Sequence, residues 1–191
     1  VLVGIRRAGK SYLMMQDVKQ RISKGIIGIE DCLYVNFEDE RLSDIQAAEL
    51  NILIECYQEL FGNKKPYIYL DEIQNINGWE KFVRRLADQK YRVMVTGSNA
   101  KMLSREVATT LGGRYVIREV FPFSYHEYLK YKGVTIPKDW EFKPDMKIDI
   151  IRHFSEYFYY GGFAEMFSLI GKREWINGLY QKILLGDIVA R

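Results

Sequence analysis

Apolar and polar positions along this chain follow two rhythms: short apolar runs, and longer stretches repeating about every 3.6 residues. Val1-Leu2-Val3 is a short run closed by a Gly-rich turn. Ser11 to Lys24 then reads as a helix, with Leu13, Met14 and Val18 on one side. Lys19, Arg21 and Lys24 fall late in it, where cations suit the negative helix end, and Gly25 and Gly28 stop it. Leu33–Phe37 reads as a second strand, closed by the acidic run Glu38-Asp39-Glu40. From Leu42 to Phe61, apolar residues at Leu42, Ile45, Leu53, Cys56, Tyr57 and Leu60 predict one long helix, stopped by Gly62-Asn63.

Pro66 leads into Tyr67–Leu70, a third strand rich in β-formers. Trp79, Phe82, Val83 and Leu86 give an amphipathic helix. Arg92–Thr96 is a fourth strand and Tyr115–Phe121 a fifth. Strands alternating with helices predict an α/β fold: a mostly parallel five-stranded sheet between helices, followed by a small helical extension. The pattern changes after Pro122. Lys130–Lys147 carries two prolines, a glycine and scattered charges, and reads as a linker. Ile148–Tyr160 and Lys172–Ala190 look helical, separated by Gly161-Gly162; Ile176, Leu179, Ile183 and Ile188 share one face of the second. The expected organisation is a core over 1–128, a linker over 129–147, and a helical lid or the start of a further domain over 148–191. The chain opens in mid-strand and stops inside a helical pattern, so both ends are expected to continue.

Composition narrows the class. Of 191 residues, 48% are hydrophobic and 28% charged, as in a soluble globular protein with a full core. Aromatic residues at 14% exclude disorder as the main state. No window approaches the apolar length of a membrane span, so no membrane partner is expected. A net charge of +3 is too weak to imply nucleic acid by itself. Cys32 and Cys56 both lie among apolar neighbours, which predicts buried free thiols and fits a reducing cytoplasm. His126 and His153, with no Cys or His partner at ligand spacing, argue against structural zinc.

The chemistry concentrates in a few stretches. Gly4-Ile5-Arg6-Arg7-Ala8-Gly9-Lys10-Ser11 matches G-x-x-x-x-G-K-[S/T] at every fixed position, between a strand and a helix. Glycines bring backbone N–H groups against phosphate oxygens, the lysine reaches the β- and γ-phosphates, and the hydroxyl is offered to Mg²⁺. The helix that follows, through Tyr12, points its positive end at the anion. Arg6 and Arg7 could each meet phosphate, a partner or a nearby acid. Tyr67–Leu70 ends in Asp71-Glu72. The first acid suits Mg²⁺, and the second can deprotonate an attacking water. Thr96-Gly97-Ser98-Asn99 ends the fourth strand, where Ser98 or Asn99 could hydrogen-bond a γ-phosphate or the attacking water. Arg114, after Gly112-Gly113, could neutralise a transition-state phosphate in cis or from a neighbouring subunit. Lys101, Arg105, Arg114 and Arg118 face one acid, Glu106. That cluster reads as a solvated face, with DNA contact as the alternative.

With these residues together, the chain resembles the prokaryotic AAA-type ATPases of the AAA-fourteen domain family, relatives of the signal-transducing P-loop ATPases. The likeness rests on Gly4–Ser11, Leu70-Asp71-Glu72-Ile73-Gln74, Thr96-Gly97-Ser98-Asn99, Leu111-Gly112-Gly113-Arg114-Tyr115 and Phe121-Pro122-Phe123-Ser124-Tyr125. It continues in Tyr160-Gly161-Gly162-Phe163-Ala164-Glu165 and Leu184-Leu185-Gly186-Asp187-Ile188, and so covers nearly the whole chain. Gly112 departs from the small residue, commonly Ala, expected there. The resemblance implies a P-loop fold that binds ATP and Mg²⁺, with Lys10 and Ser11 on phosphate and metal, Asp71 on the metal and Glu72 as base. It implies a Ser98-Asn99 sensor of the γ-phosphate, and Arg114 near the nucleotide or a subunit boundary. Adenine over guanine follows from the same resemblance, and the stretch Asn63-Lys64-Lys65-Pro66 fails the guanine pattern N-K-x-D at its last position. Family members usually continue into a winged-helix and often a nuclease-like domain, so DNA and a homo-oligomer stand as candidate partners. The expected activity is Mg²⁺-dependent ATP hydrolysis driving a change in the C-terminal region. A nucleotide-gated switch with little turnover of its own is the alternative.

Overall fold

The computed structural model describes residues 1–97 and 109–185. By their contacts these form two compact units: Val1–Ile5 with Lys10–Val120, and Arg6–Gly9 with the chain from Phe121 onward.

The first unit is a parallel sheet in the order β2-β3-β4-β1-β5. Its strands are β1 (Leu2–Val3), β2 (Cys32–Asn36), β3 (Tyr67–Asp71), β4 (Arg92–Gly97) and β5 (Arg118–Glu119). Every pairing is parallel, and β4 lies between β1 and β3. The α/β fold with a five-stranded parallel sheet is therefore as the sequence predicts.

Alternation along each strand sorts side chains to two faces. Leu2, Cys32, Tyr67, Tyr69 and Met94 pack with Met14 and Val18 of α1 (Lys10–Ser23). Val3, Leu33, Val35, Ile68, Leu70, Val93 and Val95 fall on the other face, in the larger core. There α2 (Ile52–Phe61) supplies Ile54, and α3 (Trp79–Asp88) supplies Trp79, Phe82, Val83 and Leu86.

Two elements and the two cysteines differ from expectation. The long helix over Leu42–Phe61 is a short helix, α2, preceded by a 3₁₀ turn at Glu40–Leu42 and further turns. Side chains there compete for the backbone: Gln46 N donates to Glu49 Oε2 at 2.8 Å, and Gln46 Nε2 to Asp44 O at 3.2 Å. Leu50 is nonetheless fully buried, so the apolar spacing served core packing rather than helix periodicity. The fifth strand shortens to two residues, tied to β1 by Arg118 N to Val1 O and Val120 N to Val3 O. Cys56 is exposed and Cys32 half-buried, both as free thiols; Cys56 sits on the outer side of α2, away from the buried Ile54 and Tyr57.

The second unit is helical. Ser124 caps α4 (Tyr125–Tyr131) through a reciprocal bond with Glu127. Pro144 opens α5 (Pro144–Tyr160) at a position whose missing N–H costs nothing, and Gly161 at φ 73 closes it. A 3₁₀ turn, Ala164–Phe167, leads to α6 (Lys172–Ile183). The expected linker, 129–147, holds the end of α4 with Leu129 buried, a 3₁₀ turn at Trp140–Phe142 and the start of α5. Aromatic rings hold α4 and α5 together: Tyr125 meets Phe154 and Tyr157, and Tyr128 meets Tyr157 and Phe167. Glu156 accepts from Tyr128 Oη at 2.8 Å and pairs with Lys172 and Lys132. Among the described residues no helix is long and apolar enough to cross a membrane.

Candidate functional site

Strand alternation and register build the site. Asp71 lies on the α1-facing side of β3, two residues beyond Tyr69. The pairing of β3 with β2 sets Tyr34 opposite Tyr69, and the pairing of β4 with β1 sets Thr96 opposite Leu2. Tyr34 and Thr96 therefore share that face near the carboxyl ends of the strands. Ser11, in the first turn of α1, completes the group.

Asp71 is buried and accepts three hydrogen bonds. Ser11 Oγ donates to its Oδ1 at 3.0 Å, Thr96 Oγ1 donates to the same oxygen, and Tyr34 Oη donates to Oδ2 at 3.0 Å. Burial, and then the charge of Asp71, push Tyr34 above the ordinary tyrosine range, so it stays a donor. Thr96 Oγ1 also accepts from Glu72 N at 2.9 Å, tying both acids to β4. Ser11 and Asp71 are hard oxygen donors, suited to a small divalent cation shared with phosphate oxygens. Among the described residues no cluster of three or more His, Cys, Asp or Glu could hold a metal ion.

The loop before α1 has its own constraints. A Cβ at Gly4 would lie 2.3 Å from Val120 O, so no side chain fits against the backbone after β5. Gly9 takes φ +96 with open space around it, so glycine is required there for the turn and not for room. Lys10 is buried, and its Nζ donates to Gly4 O at 3.1 Å and Ile5 O at 3.2 Å. The same Nζ lies 3.6 Å from Glu72 Oε1. Arg7 takes φ 62, pairs with Glu165 and lies 5.3 Å over the Trp175 ring, all within the second unit.

Glu72 also sits in the left-handed region, at φ 52, a conformation that costs a non-glycine residue about 1–2 kcal/mol. It leaves β3 on a turn that its carboxylate shares with Gln74, whose Nε2 donates to Glu72 Oε2 at 2.5 Å.

Of the residues singled out by sequence, Lys10, Ser11, Asp71 and Glu72 come together, with Gly4 and Ile5 beside them. Arg6, Arg7, Ala8 and Gly9 group with the second unit. Tyr12 points outward from α1 and is exposed. Ser98 and Asn99 lie outside the described residues, as do Lys101, Arg105 and Glu106. Arg114 lies elsewhere: its Nε is 2.9 Å from Asp88 Oδ1 at the end of α3. It borders a cavity of about 240 Å³ with Val1, Tyr91 and Val93, at the amino-terminal ends of β1 and β4. The loop and the two acids are at the carboxyl ends, so Arg114 does not join them within this chain. The sequence alone assigns no role to Tyr34, Thr96 or Gln74. The alternation that puts Tyr34, Tyr69, Asp71, Met94 and Thr96 on one face was the available signal for the first two.

The family model of AAA-fourteen, described as an AAA domain, matches residues 1–129. All of the chain aligns with an uncharacterized protein of Methanocaldococcus jannaschii at 35% identity, covering 42% of that protein. All of it also aligns with an uncharacterized protein of Haemophilus influenzae at 34% identity, covering 46% of that one. The chain thus spans less than half the length of these curated relatives.

Proposed function

The chain belongs to the AAA-fourteen family of AAA domains, whose model spans its residues 1–129, and from that membership we propose that it is a Mg²⁺-dependent ATPase. The observation that carries the reading is the convergence of Lys10, Ser11, Asp71 and Glu72 at the carboxyl ends of the strands, where open α/β sheets bind their ligands. Lys10 exchanges its contacts with the loop carbonyls for the β- and γ-phosphates. Ser11 and Asp71 hold Mg²⁺, Asp71 directly or through water. When bound, Mg²⁺ supplies neutralising charge to the phosphate oxygens. Glu72 takes the proton of the attacking water. Ser98 and Asn99 are proposed as the γ-phosphate sensor. Arg114, paired with Asp88 at the other end of the sheet, is proposed to act only on a neighbouring subunit. Turnover is proposed to drive a conformational change in the C-terminal helical region. DNA is proposed as a partner only through a further C-terminal domain, and the cytoplasm is proposed as the compartment.

A nucleotide-gated switch is the second reading. The pairing of Lys10 with Glu72 favours it, because it ties the base to the lysine that must bind phosphate.

The test is Mg²⁺-dependent ATP hydrolysis by the full-length protein, by Glu72→Gln and by Lys10→Ala, with and without DNA. The ATPase reading expects parental turnover, ATP binding without turnover in Glu72→Gln, and lost binding in Lys10→Ala. A parent that binds ATP but turns it over no faster than Glu72→Gln leaves the switch.

A further inference from the structure

Gln74 occupies an unusual place for an amide. It is buried, in the 3₁₀ turn Ile73–Asn75 that follows Glu72, anchored by the fully buried Ile73. Its Nε2 donates to Glu72 Oε2 at 2.5 Å. Its Oε1 is buried without a hydrogen-bond partner among the described residues. The amide orientation follows from charge: turned over, Oε1 would face a carboxylate oxygen with no proton between them. Leaving an amide oxygen buried and unpaired destabilises the fold. An apolar side chain of the same size would avoid that cost. The position therefore gives up stability, and what it gains is a donor fixed on one oxygen of Glu72.

The two oxygens of Glu72 are thereby told apart. Oε2 is held by Gln74, and Oε1 is the one that faces Lys10 at 3.6 Å. Glu72 is also strained at φ 52, and such strain persists only where neighbours hold it.

We propose that Gln74 is the positioning residue for Glu72. It clamps Oε2 and leaves Oε1, on the lysine side, as the oxygen that receives the proton. This rests on the ATPase reading. In the step itself the water oxygen bonds to the γ-phosphorus, and the bond from phosphorus to the β–γ bridging oxygen breaks. ADP departs with that electron pair, and the water's proton passes to Glu72 Oε1. Gln74 touches none of the reacting atoms; it acts through Glu72.

The experiment compares Gln74→Leu and Gln74→Met with the parent, in the full-length protein. It measures kcat, the ATP dissociation constant and the urea unfolding midpoint. A misplaced base costs on the order of a hundredfold in rate, so kcat is expected to fall about 10–100-fold. ATP affinity is expected to stay within about twofold, and the unfolding midpoint to stay or rise. A purely structural role predicts the reverse for stability, so a midpoint and affinity that fall together with kcat overturn the proposal. Added to Glu72→Gln, which binds ATP without turnover, Gln74→Leu is expected to leave ATP affinity within about twofold, because it acts only by placing the base; a further loss of affinity overturns it. Parental kcat in both variants overturns it alone. A parent that binds ATP without hydrolysing it overturns this inference together with the ATPase reading.

Discussion

Tyr34 donates its hydroxyl to Asp71 across two neighbouring strands, at 3.0 Å. With Thr96 on the opposite side, it fixes the carboxylate that Ser11 also contacts. Thr96→Val removes a donor to Asp71 and the acceptor for Glu72 N. It should destabilise the protein by about 1–3 kcal/mol, read as a lower urea midpoint. Tyr34→Phe should cost about 1 kcal/mol. In the proposed ATPase both variants should need several-fold more Mg²⁺ for half-maximal nucleotide binding. A titration that superimposes on the parent's would refute the positioning of Asp71 by these two residues.

The two loop glycines should fail differently when replaced by alanine. Gly4→Ala drives a Cβ to 2.3 Å from the Val120 carbonyl, which is backbone and cannot turn aside. A cost of about 2–4 kcal/mol is expected. Gly9→Ala meets no atom and pays only for its φ of +96, about 1–2 kcal/mol. Urea denaturation of the two variants side by side separates clash from backbone strain.

Acid should loosen the helical unit through Glu156. The hydrogen bond from Lys172, opposed by burial and aided by Tyr128, holds this carboxyl below its ordinary value of 4.5. A lowered carboxyl stabilises the fold above its unfolded pKa and loses that contribution as pH falls through the folded one. The loss therefore begins below about pH 4.5. Partial exposure limits it to about 1 kcal/mol. Glu156→Gln should flatten the stability profile below that pH, and an unchanged acid limb would show that Glu156 does not contribute.

Arg7 and Glu165 should couple only weakly in stability. Both are about half exposed, and such pairs are worth about 0–1 kcal/mol. A double-mutant cycle with Arg7→Ala and Glu165→Ala should return a coupling in that range. A third variant, Trp175→Leu, should lower the apparent contribution of Arg7 further by removing the ring beneath it. A coupling above about 2 kcal/mol would mean the pair is desolvated in solution.

Much of this was legible in the residues. The strand-loop-helix at Val1–Ser11 and the strand ending in Asp71-Glu72 carry their chemistry in local spacing. The α/β order follows because short apolar runs and helical apolar repeats separate cleanly at Tyr67–Leu70 and Trp79–Leu86. What escaped depends on distant registration. Tyr34 reads as an ordinary β-former until β2 is laid against β3. The stretch from Leu42 to Leu50 has helical apolar spacing, but it is built of turns that leave Leu42 and Ile45 partly buried against the core and Leu50 fully buried. Arg114 reads as a permanent charge able to meet a phosphate in cis or from a neighbouring subunit; only strand direction shows that it precedes β5 and pairs with Asp88, at the amino-terminal ends of the strands.

The position of β4 bears on how far the site can be altered. Adjacent strands stand about 4.8 Å apart, so β1 and β3, separated by β4, stand about 10 Å apart. That separation is set by main-chain ladders and is indifferent to side-chain identity. Substitutions around Asp71 or Lys10 can tilt what projects into the gap but cannot narrow or widen it. The width is a fixed tolerance of the frame, and adaptation is left to the side chains hung upon it.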